Sequence, residues 1–230
     1  MFVSIPSRAQ PALRWATPLL FAVLLLAFAW ASTHAEGAQR QLMDDWGALS
    51  GEMARDDLLR AWSHGDHWLR LVTALFLHAD WAHLLGNLVF LLIFGLPAER
   101  AMGPWRFLLL FLVGGAFANF TAVLAIGAPD QLVIGASGAV SAVIGAYLAL
   151  FPRARLGVVV PLGLFLEFVR APASLLIGLW AALQVGFAYI GPAFGAVAWW
   201  AHIAGFAFGL AFAVLSRRAI ARRLRKRQGY

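Results

Sequence analysis

The sequence predicts an all-α membrane protein: six transmembrane helices in one bundle, with a long interfacial first loop. Three observations predict it. Of 230 residues, 62% are apolar and only 13% charged, whereas a soluble domain is nearer half apolar and a quarter charged. The charges are clumped, leaving uncharged runs long enough to cross a bilayer. The arginines also concentrate in every second connection between those runs. This composition excludes a soluble enzyme, a disordered tail and a nucleic-acid binder, despite a net charge of +7. The absence of cysteine excludes disulfides, thiol nucleophiles and thiolate metal sites.

Cutting the chain at its charges places the elements in order. Residues 1–15 form an N-terminal tail. A first span covers about 16–34, although Leu19–Ala31 followed by Ser-Thr-His-Ala also has the character of a signal peptide. The segment 36–70 carries seven acids against four bases, with Trp46, Trp62 and Trp68. Tryptophan favours the headgroup level, so short interfacial helices are expected there. Further spans are expected at about 81–98, 107–128 and 136–152. The uncharged piece 156–166 is too short to cross roughly 30 Å of hydrocarbon at 1.5 Å per residue. It contains Pro161 and reads as interfacial. The 46 residues of 171–216 carry no charge and hold two spans, 171–190 and 198–216, turned at Gly191-Pro192 and Gly195. The six-span core is thus 16–216, and 217–230 is a basic tail.

Orientation follows from the bases. Arg8 and Arg14, then Arg100 and Arg106, then Arg153, Arg155 and Arg170, then seven in the tail all fall on one side of a six-span chain. The positive-inside rule makes that side, and both termini, cytoplasmic. The style of the composition suits a bacterial inner (plasma) membrane. The basic tail reads as a retention signal touching anionic lipid.

Strongly polar groups inside spans are costly and mark function by default. They are His83, Asn87, Asn119, Ser137, Ser141, Gln184 and His202. His83 and Asn87 are four apart, on one face of the second span. Ser137 and His202 lie near the outer ends of the fourth and sixth spans. Asn119 and Gln184 stand alone and read as interhelical hydrogen-bond partners. Gly135-Ala136-Ser137-Gly138 opens one small-residue face; Ala201, Gly205, Gly209 and Ala213 form another at a period of four. If those faces meet, Ser137 and His202 come within hydrogen-bond reach. A serine needs such a base to become nucleophilic. No acid lies within a span, so the expectation is a dyad. Donors for a developing oxyanion would be the Ser137 backbone N–H, Asn87 and His83.

These residues resemble the rhomboid family of intramembrane serine proteases. The matching motifs are Gly135-Ala136-Ser137-Gly138; Ala201-His202-Ile203-Ala204-Gly205 with Gly209; and His83-Leu84-Leu85-Gly86-Asn87 preceded by His78. Glu99-Arg100 and the long first loop match too, so the resemblance spans roughly 60–215. The position four after the serine, commonly aromatic in the family, is Ser141. The resemblance implies Ser137 and His202 as catalytic, His83, Asn87 and the Ser137 N–H as the oxyanion site, and Gly135, Gly138, Gly205, His78 and Ser141 as support. It implies substrates that are themselves membrane helices, cleaved near their outer end at a small residue. It implies the fifth span and the cap 191–198 as a gate, and no metal or cofactor.

Two rival readings are an inactive rhomboid-like binding protein and a transporter using the buried polar groups as a path. The first sits poorly with an intact serine and histidine, the second with the absence of internal repeats and span carboxylates. A metal site at His64, Asp66 and His67 is better read as an interfacial polar cluster.

Overall fold

The computed structural model describes residues 14–50, 66–126, 131–162, 165–190 and 198–227. Within these, the chain is mostly helical. In order come α1 (Ala16–Ala31), α2 (Glu36–Trp46), β1 (Ala48–Leu49), α3 (Asp66–Thr73), a 3-10 turn (Ala74–Phe76), α4 (Trp81–Met102) and α5 (Pro104–Ala125). Then follow β2 (Leu132–Val133), α6 (Ser137–Leu150), β3 (Arg155–Leu162), β4 (Phe165–Pro172), α7 (Ala173–Ile190) and α8 (Trp199–Arg227). Among the described residues four helices, α4, α5, α7 and α8, are long and apolar enough to cross a membrane. The apolar helices α1 and α6 are shorter, at 16 and 14 residues.

Each helix has a local reason for its limits. Asp80 caps α4 by accepting the His83 N–H at 2.8 Å. Midway along, α4 widens into a π turn over Leu91–Gly95, just before Pro97. Proline has no N–H to give the ladder, and the wider turn absorbs the gap. Gly103, at φ +88°, lets the chain reverse from α4 into α5. The buried Glu99 of α4 accepts the N–H groups of Ala16 and Thr17, both at 2.9 Å. A carboxylate therefore closes the N-terminus of α1, where partial positive charge collects.

The centre of the bundle is α6. From Gly138 to Tyr147 every residue of it is buried, and α5 and α8 flank it. Its seam with α8 is made by glycine. A Cβ on Gly205 would overlap the Gly138 carbonyl, one on Gly209 the Ala142 carbonyl, and one on Gly145 the Phe206 carbonyl. Backbones this close gain van der Waals contact that lipid cannot match. Asn119 of α5 donates to the Leu71 carbonyl of α3 at 2.9 Å, fastening the first loop to the bundle.

Two expectations differ from the structure. The chain is not wholly helical: β1 pairs with β2, and the described residues of 156–166 lie in β3 and β4, which pair antiparallel with Arg155 opposite Pro172 and Leu162 opposite Phe165. The β-branched run Val158–Val160 favours extended backbone. Next, α4 extends beyond 98 to Met102, carrying Glu99 and Arg100 inside the helix. Ser137 is the first residue of α6, at the beginning of the expected span 136–152. Gly135, at φ +108°, makes the turn between β2 and α6. The cap 191–197 and His64 lie outside the described residues.

Candidate active site

Three helix beginnings converge on one cavity of about 340 Å³, lined by His83 and Asn87 of α4, Ser137 and Ser141 of α6, Gln184 of α7, and Trp199 and His202 of α8. The glycine seam sets the central distance. Because α6 and α8 touch backbone to backbone at Gly138 and Gly205, the side chains at Ser137 and His202 are close neighbours. His202 Nε2 lies 2.8 Å from Ser137 Oγ.

The other predicted residues surround this pair. Asn87 is buried and donates from Nδ2 to the His83 carbonyl at 3.0 Å, which fixes its side chain against its own helix. Its second N–H is left for another acceptor. Ser137 is at the first helical position, where a backbone N–H has no intrahelical partner. Gly135 permits both the turn and the approach of a neighbour: a Cβ there would sit 2.5 Å from His83 Nε2. His78 packs edge-on against His83, ring centres 5.1 Å apart. The Ala136 N–H donates to His78 Nε2 at 3.4 Å, so His78 holds the loop that leads into Ser137. Burial, reinforced by the neighbouring His83, pushes the His78 imidazole down to about 4. It is therefore neutral at pH 7, as an acceptor must be.

Ser141 does not face His202 as a ring would. Its hydroxyl donates back to the Ser137 carbonyl at 2.7 Å. Aromatic contact to the imidazole comes from its own helix: Trp199 stands at 90° to His202, ring centres 5.9 Å apart, and stacks on Phe187 of α7 at 4.9 Å. A second group that sequence reasoning did not place here is Gln184. Its Oε1 is 2.7 Å from His202 Nδ1. It does join two helices, as expected of a lone amide, but its partner is the histidine beside Ser137. The signal was available: Gln184 is the one amide in the uncharged run 171–216.

Chemically, a hydroxyl on an imidazole, with amide donors around one cavity, can form and stabilise an acyl adduct. Among the described residues no cluster of histidines and carboxylates suits a metal ion. The side chains of Asp66 and His67 lie outside what the structure describes.

A mostly helical integral membrane protein with this constellation belongs to a definable class. A family model of the Rhomboid domain matches residues 65–219, and the chain belongs to the rhomboid family, whose members are generally serine intramembrane proteases. It is 25% identical to RHOMBOID-like protein 5 of Arabidopsis thaliana over 164 residues, which is 63% of this chain and 53% of that one. It is 37% identical to a putative rhomboid protease of Bacillus subtilis strain 168 over 81 residues, 35% of this chain and 40% of the other. With Rhomboid-like protease 3 of Toxoplasma gondii it shares 38% over 89 residues, 39% of this chain and 33% of that one. The chain thus spans between a third and about half the length of these relatives.

Proposed function

We propose that this chain is an intramembrane serine endopeptidase that cleaves transmembrane-helix substrates near their outer ends. The observation that carries the reading is the 2.8 Å approach of Ser137 Oγ to His202 Nε2, from two helices, at the wall of an open cavity. Six spans (α1, α4, α5, α6, α7 and α8) with both termini cytoplasmic fit the distribution of bases. In that orientation α4, α6 and α8 all run inward. Their first turns, which carry the polar groups, then lie toward the outer face, where water reaches them. A bacterial inner membrane suits such a chain.

The steps follow from the geometry. His202 Nε2 takes the Ser137 hydroxyl proton as Oγ bonds to the carbonyl carbon of the scissile peptide. The carbonyl oxygen becomes an oxyanion, held by the Ser137 N–H, the free N–H of Asn87 and the His83 imidazole. When the C–N bond breaks, His202 returns the proton to the leaving nitrogen, leaving an acyl-Ser137 ester. Water then attacks the ester, giving its proton to His202; the C–Oγ bond breaks, His202 returns that proton to Oγ, and Ser137 is regenerated with release of the acid.

The test is labelling of detergent-purified protein by a fluorophosphonate, alongside cleavage of a transmembrane substrate in proteoliposomes. Ser137→Ala and His202→Ala are expected to lose both signals while retaining the wild-type unfolding temperature. Near-normal cleavage by either variant overturns the reading.

A further inference from the structure

Gln184 stands out because of the helix that carries it. Among the described residues of α7, only Ala173, Ile177 and Gln184 are buried. Their spacings of four and seven put them on one face. The other faces show Leu175, Leu179 and Leu183 at 65%, 60% and 49% exposure. A leucine at 184 would complete this apolar stripe. An amide in a membrane helix costs free energy unless it is paired. This one is paired with His202 Nδ1 at 2.7 Å, while His202 Nε2 faces Ser137 Oγ at 2.8 Å.

The tautomer follows from the donors. An amide oxygen can only accept, so His202 Nδ1 must carry the proton. A neutral imidazole has one N–H, so Nε2 then holds a lone pair. That lone pair faces the serine hydroxyl, which donates to it. The opposite amide orientation would place an NH₂ against Nδ1, put the proton on Nε2 and leave Ser137 without a base. The side-chain orientation at 184 therefore selects between an active and an inactive tautomer.

We propose that Gln184 is a positioning residue that turns the expected Ser137–His202 dyad into a Ser–His–Gln relay. An amide suits this depth, because it orients the ring without burying a charge. It also ties the base to α7: if that helix moves away, His202 loses the partner that fixes its tautomer. The proposal rests on the protease reading above.

Two measurements test it. In ring-labelled protein, nitrogen NMR of His202, assigned with His202→Ala, is expected to show the Nδ1–H tautomer; an Nε2–H tautomer overturns the proposal without any variant at 184. Gln184→Met keeps the length and apolar bulk but lacks a strong acceptor. Its fluorophosphonate labelling and kcat are expected to fall roughly tenfold to a hundredfold, the cost of one buried donor left unpaired. KM and the unfolding temperature are expected to stay near wild type. Gln184→Glu restores an acceptor and is expected to recover most of the loss. Labelling by Gln184→Met at the wild-type rate overturns the relay, as does a fall in which KM alone changes. Labelling that persists in Ser137→Ala overturns the protease reading itself, whereas labelling lost there but normal in Gln184→Met removes only the role of Gln184.

Discussion

The seam between α6 and α8 and the flank formed by α7 are both helix contacts to the same cavity, but they are built on opposite principles. At the seam, glycines at 145, 205 and 209 bring backbone against backbone. On α7 only Ala173, Ile177 and Gln184 are buried; Trp180, Phe187 and Tyr189 add ring contacts to α8, and the leucines point outward. The seam fixes the Ser137–His202 distance through the main chain, which leaves little to side-chain freedom. The flank contributes its polar contact through one flexible glutamine. Lipid tails are as apolar as leucine, so apolar side chains alone hold membrane helices weakly together; close backbone packing is what makes the difference. A rigid half and a more loosely attached half around one cavity suit the proposed protease, which would have to admit a helix yet keep its reacting atoms aligned.

The largest way to break this contrast is Gly209→Val. Its Cβ would overlap the Ala142 carbonyl, a backbone atom with nowhere to go. The helices must separate, at a cost of about 3 kcal/mol or more. Thermal or denaturant unfolding in detergent is expected to show that loss, with activity falling as α8 carries His202 away. A wild-type unfolding curve would show that the seam is not the rigid half.

Much of this seam was legible in the sequence. The four-residue spacing of Ala201, Gly205, Gly209 and Ala213 needs no tertiary information to suggest a packing face, and the Gly135–Gly138 run suggests its partner. The uncharged runs likewise mark where helices lie. What escaped depends on where chains meet in space. That the lone amide Gln184 would find His202, and not some backbone carbonyl, depends on the azimuth of α7. That Trp199 would supply the aromatic contact, with Ser141 turned to a carbonyl, depends on rotamers in a packed core. The β3–β4 hairpin escaped for another reason. A short apolar run with a proline reads as interfacial, and periodicity does not separate a strand from a buried irregular segment over so few residues.

Between the two extremes lies the loop before Ser137, held by His78. Its imidazole is 3% exposed and accepts the Ala136 N–H. Burial, with His83 nearby, lowers its pKa from 6.5 to about 4. The sign follows: the unfolded chain takes up the proton first, so the contribution is complete above about 6.5 and is lost as pH falls toward about 4. The full swing is on the order of 3 kcal/mol. Unfolding measured from pH 7.5 to 4.5 is expected to show stability declining across this window, with a shallower decline in His78→Gln. Identical slopes in the two proteins would assign the acid sensitivity elsewhere and leave the loop on the rigid side of the comparison.

The smallest effect belongs to the outer face of α7. Leu179 is 60% exposed in the bundle and meets lipid in a membrane. Leu179→Ala exchanges a side chain in contact with acyl chains for a smaller one in the same contact, so no protein cavity opens. Stability is expected to change by no more than about 0.5 kcal/mol. Activity should stay within a fewfold, because the helix is attached elsewhere, at Ala173, Ile177 and Gln184 and through the rings of Trp180 and Phe187. A loss comparable with that at Gly209 would mean that α7 is seated by its leucines against something other than lipid. The flank would then be as constrained as the seam, and the contrast between a rigid and a loose half would fail. A small effect here combined with a large kinetic effect in Gln184→Met would place the contribution of α7 in one hydrogen bond rather than in its apolar surface.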